Sequence, residues 1–510
     1  MTCEAGRDEA RWDAGRGGDG RGQRGADVTA AAAPGLAALE NRLRRDLAFL
    51  EEPAKNWVPA RPGPEGRPML DVAILGAGMA GIATAIALLR RGIRNIRLFD
   101  KAEAGREGPW VTYARMRTLR SPKHLSGPCV DVPALTFRAW FEAQWGAAEW
   151  EALGRIPRVQ WMDYLDWLRR VTGLRVENGS ALTDLAPAGD GLALTFRRTG
   201  GEAHVTCRHL VLANGRDGLG GPWMPAFLRA LPGSLVSHSA DDIDFAALAG
   251  RDVAVIGASA SAVDNAAEAL EAGARRVVLL VRRPDFPRVN KSLAANSPGF
   301  ARGFRALPPE ARWALNRHMR EAGVPPPKAS VLRCTEHPAF AIRMPCPVTG
   351  AAVEGARVRL ETGQGPMRFD HVIAGTGFTV TWAARPELAR LAPAVRLWRD
   401  LLPDMREDAE LLDHPDLGPG MEFLPRQPGR DDWVSRITCM NNAAMMSHGR
   451  IAGDIPGISI GAQRVADQVL EQLFTEDWPR HFDALRRFDV AELTGDEWQV
   501  EDPLEAAPGD

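Results

Sequence analysis

The segment DVAIL (71–75) runs straight into GAGMAG and then into an Ala-, Ile- and Leu-rich stretch through Arg91, with IRLFD following at 96–100. An apolar strand, glycines at GxGxxG spacing and a helix leave few alternatives to a βαβ unit with parallel strands. Gly76 permits the tight turn, Gly78 lets a pyrophosphate approach the backbone, and Gly81 lets helix and strand pack closely. The helix N-terminus favours the negative charge of such a group. Asp100 closes the second strand about twenty residues after the last glycine, where an acid holds a ribose hydroxyl. The near-span-length stretch 71–89 therefore reads as strand, turn and helix, because Asp71 and three glycines interrupt it.

A second unit follows the same order: DVAVI (252–256), GASASA, a helix through about Ala272, and RRVVLLV (275–281). Gly257, Ser259, Ser261 and Ala262 stand where the first unit has its glycine turn, so this fingerprint is degenerate. Its second strand ends in Arg282 and Arg283 where an NAD site carries an acid, and guanidinium groups there suit a 2′-phosphate, which points to NADPH. HLVLANG (209–215) and FDHVIAGTGF (369–378) read as further strands ending in glycine turns. The predicted fold class is α/β, with two nested Rossmann-type dinucleotide-binding domains. The expected division is an arm at 1–34, a helix and linker at 35–66, a flavin domain at 67–245 and 370–475, a nicotinamide domain at 246–369, and a C-terminal segment with an acidic tail at 476–510.

Within the outer segments, Leu36, Leu39, Leu43, Leu47 and Leu50 repeat at helical spacing, and the last strong helix is expected from Gly461 to about Phe474. The arm lacks an apolar leader core and reads as disordered, so a cytoplasmic location is expected.

Lys and Arg number 63 against 65 Asp and Glu, a net charge of −2, so no bulk field exists to capture nucleic acid. Cys3, Cys129, Cys207, Cys334, Cys346 and Cys439 include no CxxC pair, which argues against dithiol redox chemistry and a zinc ribbon. His238, His371 and His448 lack metal-ligand spacing, and no metal is expected. Neither a G-x-S-x-G elbow nor a Walker lysine is present. Trp140, Trp145 and Trp150 are assigned to the core rather than to a pocket. Two dinucleotide folds in one chain bring a flavin and a nicotinamide within reach for hydride transfer.

These residues resemble the class B flavin-dependent monooxygenases over about residues 69–470. GPW (108–110), with Trp110, resembles the GGTW-type segment of that group, and AGTGF (374–378), with Gly375 and Gly377, resembles its ATGY motif. TLRSPK (118–123), LTFRAWF (135–141), IPRVQWMDYLDW (156–167) and RVN (288–290) look most like the ornithine and lysine N-hydroxylases, and SHG (447–449) resembles a C-terminal segment lining the flavin. The resemblance implies FAD and NADPH as cofactors, O2 and a small molecule as substrates, and Asn290 and His448 as pocket residues. It also implies oxygen transfer from a C4a-hydroperoxyflavin to an amine or thioether. Arg120 aligns with a flavin-facing asparagine and is expected to meet an anion there. Ala114 replaces the substrate-binding lysine of the N-hydroxylases, with Arg115 and Arg117 beside it, which counts against ornithine or lysine. Leu231, Gly233 and His238 only echo the Baeyer-Villiger fingerprint. That chemistry, a flavin reductase and a non-catalytic flavin scaffold remain the alternatives, and oligomeric state is left open.

Overall fold

The computed structural model describes residues 34–63, 66 and 68–501. The expected arm, apart from residue 34, and the last nine residues of the expected tail lie outside that range.

Strand Leu70–Leu75, buried throughout, is the centre of the first sheet. It pairs in parallel with Ile96–Phe99 on one side and Gly201–Leu212 on the other, with Val72 opposite both Ile96 and His209. Val176–Glu177 extends one edge, and the antiparallel strands Gly191–Arg198 and Ala181–Ala188 extend the other. The short strand Ile437–Cys439 also pairs in parallel with Gly201–Leu212. Helix Met79–Arg90 is apolar all round, as its position demands, and packs against helix Ile458–Glu476.

The second sheet is wholly parallel, in the order Phe340–Arg343, Arg276–Leu280, Asp252–Ile256, His371–Ala374, Val236–His238. Helices Ala260–Glu271 and Lys328–Thr335 pack together beside it. The chain leaves the first sheet after Leu212 and enters its C-terminal part after Ala374, and the two crossing segments, Gly220–Pro222 and Phe378–Val380, pair antiparallel. One fold is thereby nested in the other. Boundaries at 246 and 369 cut this sheet, because Val236–His238 and His371–Ala374 are its members.

Three differences from expectation have local causes. Between the second unit and Phe340–Arg343 the chain inserts helices Lys291–Ala294, Pro298–Gly303 and Pro309–Ala322, the last two begun by a proline at the first helical position. Helix Ile458–Glu476 is longer than 461–474, and a further helix, Trp478–Arg487, lies in the C-terminal segment ahead of the acidic tail, where no element was expected. Its start is fastened by Arg208, fully buried in the first sheet, which bonds Asp477 at 2.7 Å and Glu476 at 2.8 Å. The amphipathic helix at 35–50 is observed as Pro34–Phe49, packed on helix Phe137–Ala152. Trp140 and Trp150 belong to the core with Phe137, Trp161 and Tyr164, whereas Trp145 is 43% exposed, immediately before Gly146 breaks the helical path at φ 85°. Among the described residues no helix is long and apolar enough to cross a membrane.

Candidate active site

In the first turn, Gly76 adopts φ +103°, and a Cβ there would sit 2.4 Å from the Ala213 carbonyl oxygen. A Cβ on Gly81 would lie 1.9 Å from the Gly76 carbonyl oxygen, so the turn itself demands both glycines. Gly78 is different. Its nearest neighbour would be the Gly108 Cα at 3.8 Å, which leaves open space at the N-terminus of helix Met79–Arg90. No protein atom near Gly78 forbids a side chain there. Asp100 is buried, and its two carboxylate oxygens accept from the backbone N–H of Ala77 and Ala102, each at 2.8 Å. Burial raises its pKa despite those two bonds. Asp100 thus ties the glycine turn to the end of the second strand and retains lone pairs for a ribose hydroxyl. Trp110 is half-buried and meets Trp161 edge-on at 6.1 Å.

The second turn solves the same packing problem differently. Gly257 has φ +144°, and a Cβ there would meet the Gly375 carbonyl oxygen at 2.4 Å. Ala262 keeps its methyl group where the first unit has Gly81, because Gly375 beside it has none; a Cβ on Gly375 would lie 2.5 Å from the Ala262 Cβ. Ser259 is the exposed N-cap residue of helix Ala260–Glu271, its hydroxyl 3.4 Å from that of Ser261. Gly377, at φ +86°, has open space where a side chain would go. At the strand end, Arg282 is exposed and forms no ion pair among the described residues, whereas Arg283 donates to the Glu321 carbonyl oxygen at 3.2 Å. Arg282 has no hydrogen-bond partner among the described residues, and Arg283 has this one.

Arg120 lies on the segment between Trp110 and helix Phe137–Ala152. It donates to the Pro325 carbonyl oxygen at 3.2 Å. Its surface is exposed. Burial lowers its pKa; Arg450 and Arg216 add to the shift, while Asp264 and Asp454 oppose it. Asn290 caps helix Lys291–Ala294, its side-chain oxygen accepting from Ser292 N–H at 3.1 Å, and the Ser292 hydroxyl is in turn bonded by Arg450. Arg450 therefore joins Asn290 to the surroundings of Arg120. Arg115 and Arg117 hold the two folds together through the Asp241 carbonyl oxygen at 3.2 Å and Glu271 at 2.9 Å.

His448 corrects an expectation. It has no exposed surface; Nε2 donates to the Gly418 carbonyl oxygen at 2.8 Å, and Nδ1 accepts from Arg464 at 2.8 Å. Burial, with Arg464, Arg305 and Arg312 nearby, pushes its pKa down to about 3, so the ring is neutral and both nitrogens are used by the protein. It joins the Gly418 carbonyl to Arg464 and presents no accessible atom. Sequence reasoning missed Asp264, Arg216 and Arg450, which surround Arg120 from three separate segments without a common motif.

A model of the pyridine nucleotide-disulphide oxidoreductase family matches residues 73–297, the two turns included. The five described cysteines are all free and buried. Among solved structures, the reduced form of ornithine hydroxylase (PvdA) from Pseudomonas aeruginosa has the same fold, with a TM-score of 0.62, 17% identity, and coverage of 79% of this chain and 100% of that one. The Kutzneria ornithine N-hydroxylase KtzI, with reduced FAD, NADP+ and L-ornithine, gives 0.61 at 15% identity, again over 79% and 100%. The nested fold and its paired nucleotide turns are those of the class B flavin-dependent monooxygenases, and the chain is an oxidoreductase of that class. A curated relative narrows this: the FAD-dependent urate hydroxylase of Xanthomonas campestris pv. campestris is 38% identical over 465 residues, 90% of this chain and 98% of the relative. The chain belongs to the family of that enzyme.

Proposed function

We propose that the chain is an FAD- and NADPH-dependent monooxygenase that places one oxygen atom of O2 on a small, anionic, electron-rich substrate of the urate type. The observation that carries the substrate class is Arg120, an exposed guanidinium whose charge neighbours are Arg216 and Arg450 as well as Asp264 and Asp454. Such a site suits an anion better than the terminal amine of ornithine. The name of the 38% identical relative points the same way.

The residues present fit both cofactors. The open space at Gly78 and the N-terminus of helix Met79–Arg90 would take the FAD pyrophosphate, and Asp100 the adjoining ribose. Trp110 and Gly377 would line the neighbouring walls. Gly257, Ser259 and Ser261 would take the pyrophosphate of NADPH, Arg282 its 2′-phosphate, and Gly375 lets that turn close on Ala262. When bound, the flavin supplies the redox chemistry with O2. The chain's own part is to bind and orient: Arg120 neutralises the anion, and Asn290, whose amide nitrogen has no protein acceptor among the described residues, offers a donor. The absence of an acid–base triad fits this division of labour.

The test is NADPH oxidation by the flavin-loaded protein with urate, ornithine or cadaverine as substrate. Stimulation by urate, falling about tenfold or more in Arg120→Gln, is the expected result. Stimulation by the amines and not by urate would overturn the substrate class. Amine oxidation is the second reading, favoured only by Asn290 and its RVN context.

A further inference from the structure

The C-terminal helix Trp478–Arg487 has one face fixed to the protein and another left open. Its start is held by Asp477, which Arg61 and Arg208 bond at 2.8 Å and 2.7 Å. One turn on, His481 stacks on Phe474 at 5.0 Å and meets Trp57 at 5.7 Å. Phe474, Trp478, Phe482, Leu485 and, just past the helix, Phe488 follow one another at helical spacing along the open side. The ring centres of Phe474 and Trp478 are 5.9 Å apart and those of Trp478 and Phe482 5.4 Å, yet each of the five side chains keeps 42–70% of its surface exposed. Side chains of this size present roughly 500 Å² of continuous apolar surface, large for a monomer and a good part of one side of a standard interface. Val490 and Leu493, also exposed, add to it.

The charges around this stripe divide by position. The helix carries Arg480, Arg486 and Arg487 against Asp483, whereas residues 488–501 carry five acids and no lysine or arginine. Arg486 lies 6.0 Å from the Phe482 ring centre, at the margin of the stripe, and Arg487 donates to the Asp483 carbonyl oxygen at 3.2 Å. Asp496 and Glu497 are taken up by Thr494 and Gly495 of their own turn. Among the described residues, Arg486 and Arg487 form no ion pair, and neither do Asp489, Glu492 and Glu501. A basic margin and an acidic margin beside one apolar stripe, neither neutralised by the other, are self-complementary: a two-fold axis brings the arginines of each copy to the acids of the other and covers both stripes at once. A lipid surface fits less well, because its anionic headgroups attract the arginines and repel the acidic segment that follows them.

We propose that this stripe is a homodimer interface, on which a second copy of the chain docks about a two-fold axis with Arg486 and Arg487 of each copy against Asp489 and Glu492 of the other. The inner contacts of Asp477 and His481 hold the helix in place beforehand, so little order has to be gained on docking. The proposal goes beyond the substrate reading and needs no turnover for its test.

The test is sedimentation equilibrium of the full chain loaded with FAD. Self-association of the wild type is expected, with the mass of the assembly halved in Phe482→Ser/Leu485→Ser. The dissociation constant should rise about tenfold or more in Arg486→Glu/Arg487→Glu and again in Asp489→Lys/Glu492→Lys. Mixing these two charge-reversed variants should restore association close to that of the wild type, because each copy then meets its complement; misfolding of either variant cannot produce that recovery. A wild type that stays monomeric at about 100 μM, an assembly unchanged by the Phe482→Ser/Leu485→Ser substitutions, or charge-reversed variants that stay apart when mixed would overturn the proposal. Flotation of a monomeric wild type with phosphatidylglycerol vesicles would assign the stripe to a lipid surface and overturn it likewise. Failure of urate turnover would leave this result unaffected.

Discussion

The two nucleotide turns have the same backbone course and opposite distributions of side chains. In the first, the helix contributes the missing methyl at Gly81, and Ala213 on the neighbouring strand keeps its own. In the second, the helix keeps a methyl at Ala262, and the strand end supplies the gap at Gly375. The missing Cβ of Gly81 answers the Gly76 carbonyl oxygen within the first turn, whereas that of Gly375 answers the Ala262 methyl across the second crossing. The strand ends differ as well. Asp100 is drawn into the first turn by two backbone donors, while Arg282 stands free at the second. A carboxylate suits a ribose hydroxyl and a guanidinium suits a phosphate, and on that contrast rests the proposal that the two sites take different nucleotides.

The largest effects should come from refilling the gaps. Gly81→Ala places a methyl against rigid backbone and should destabilise the protein by about 3 kcal/mol or more in urea unfolding, with no rescue from Ala213→Gly. Gly375→Ala should lose about 2–3 kcal/mol and recover most of it when combined with Ala262→Gly, a coupling that Gly81 cannot show. Additive effects in that second pair would break the comparison.

Ligand effects come next. Arg282→Glu should raise KM for NADPH about tenfold or more with little change for NADH, and Arg283→Glu should do less because that side chain is tied to Glu321. Equal losses for both nucleotides would remove the phosphate assignment. Gly78→Ala meets no protein atom closer than 3.8 Å, so the unfolding midpoint of flavin-free protein should hardly move while flavin retention falls. A change in stability without a change in flavin binding would mean that Gly78 serves the chain and not a ligand.

The effect that is smallest at neutral pH is electrostatic and tests the first fold alone. His209 and His448 are each pushed down to about 3 by burial from the usual 6.5. The unfolded chain protonates them below about pH 6.5 and the folded chain does not, so stability is present above that pH. It falls as the pH drops toward 3, by up to about 1.4 kcal/mol per unit for each histidine. His448→Asn should flatten the slope of unfolding free energy against pH in this window; an unchanged slope would contradict its neutral, buried assignment.

The nested fold was legible because strand, glycine spacing and helix lie within thirty residues of one another in each unit. GASASA looked degenerate for a physical reason: the glycine that compensates for Ala262 is Gly375, on a strand the motif does not contain. Likewise Arg120 was found from its local segment, but Asp264, Arg216, Arg450 and Asp454 reach it only through tertiary folding. His448 was misplaced because a motif marks proximity to a site without saying which way the ring faces. The helix Trp478–Arg487 escaped notice because its start depends on Arg208 in a distant strand.

The central claim is that one chain joins a flavin site and an NADPH site to move a single oxygen atom onto an anionic substrate. The most direct test is the mass of the product formed from urate by flavin-loaded protein and NADPH under oxygen-18 gas. The account predicts one heavy oxygen atom in the initial product. Product without the label, or hydrogen peroxide formed with urate left intact, would contradict it.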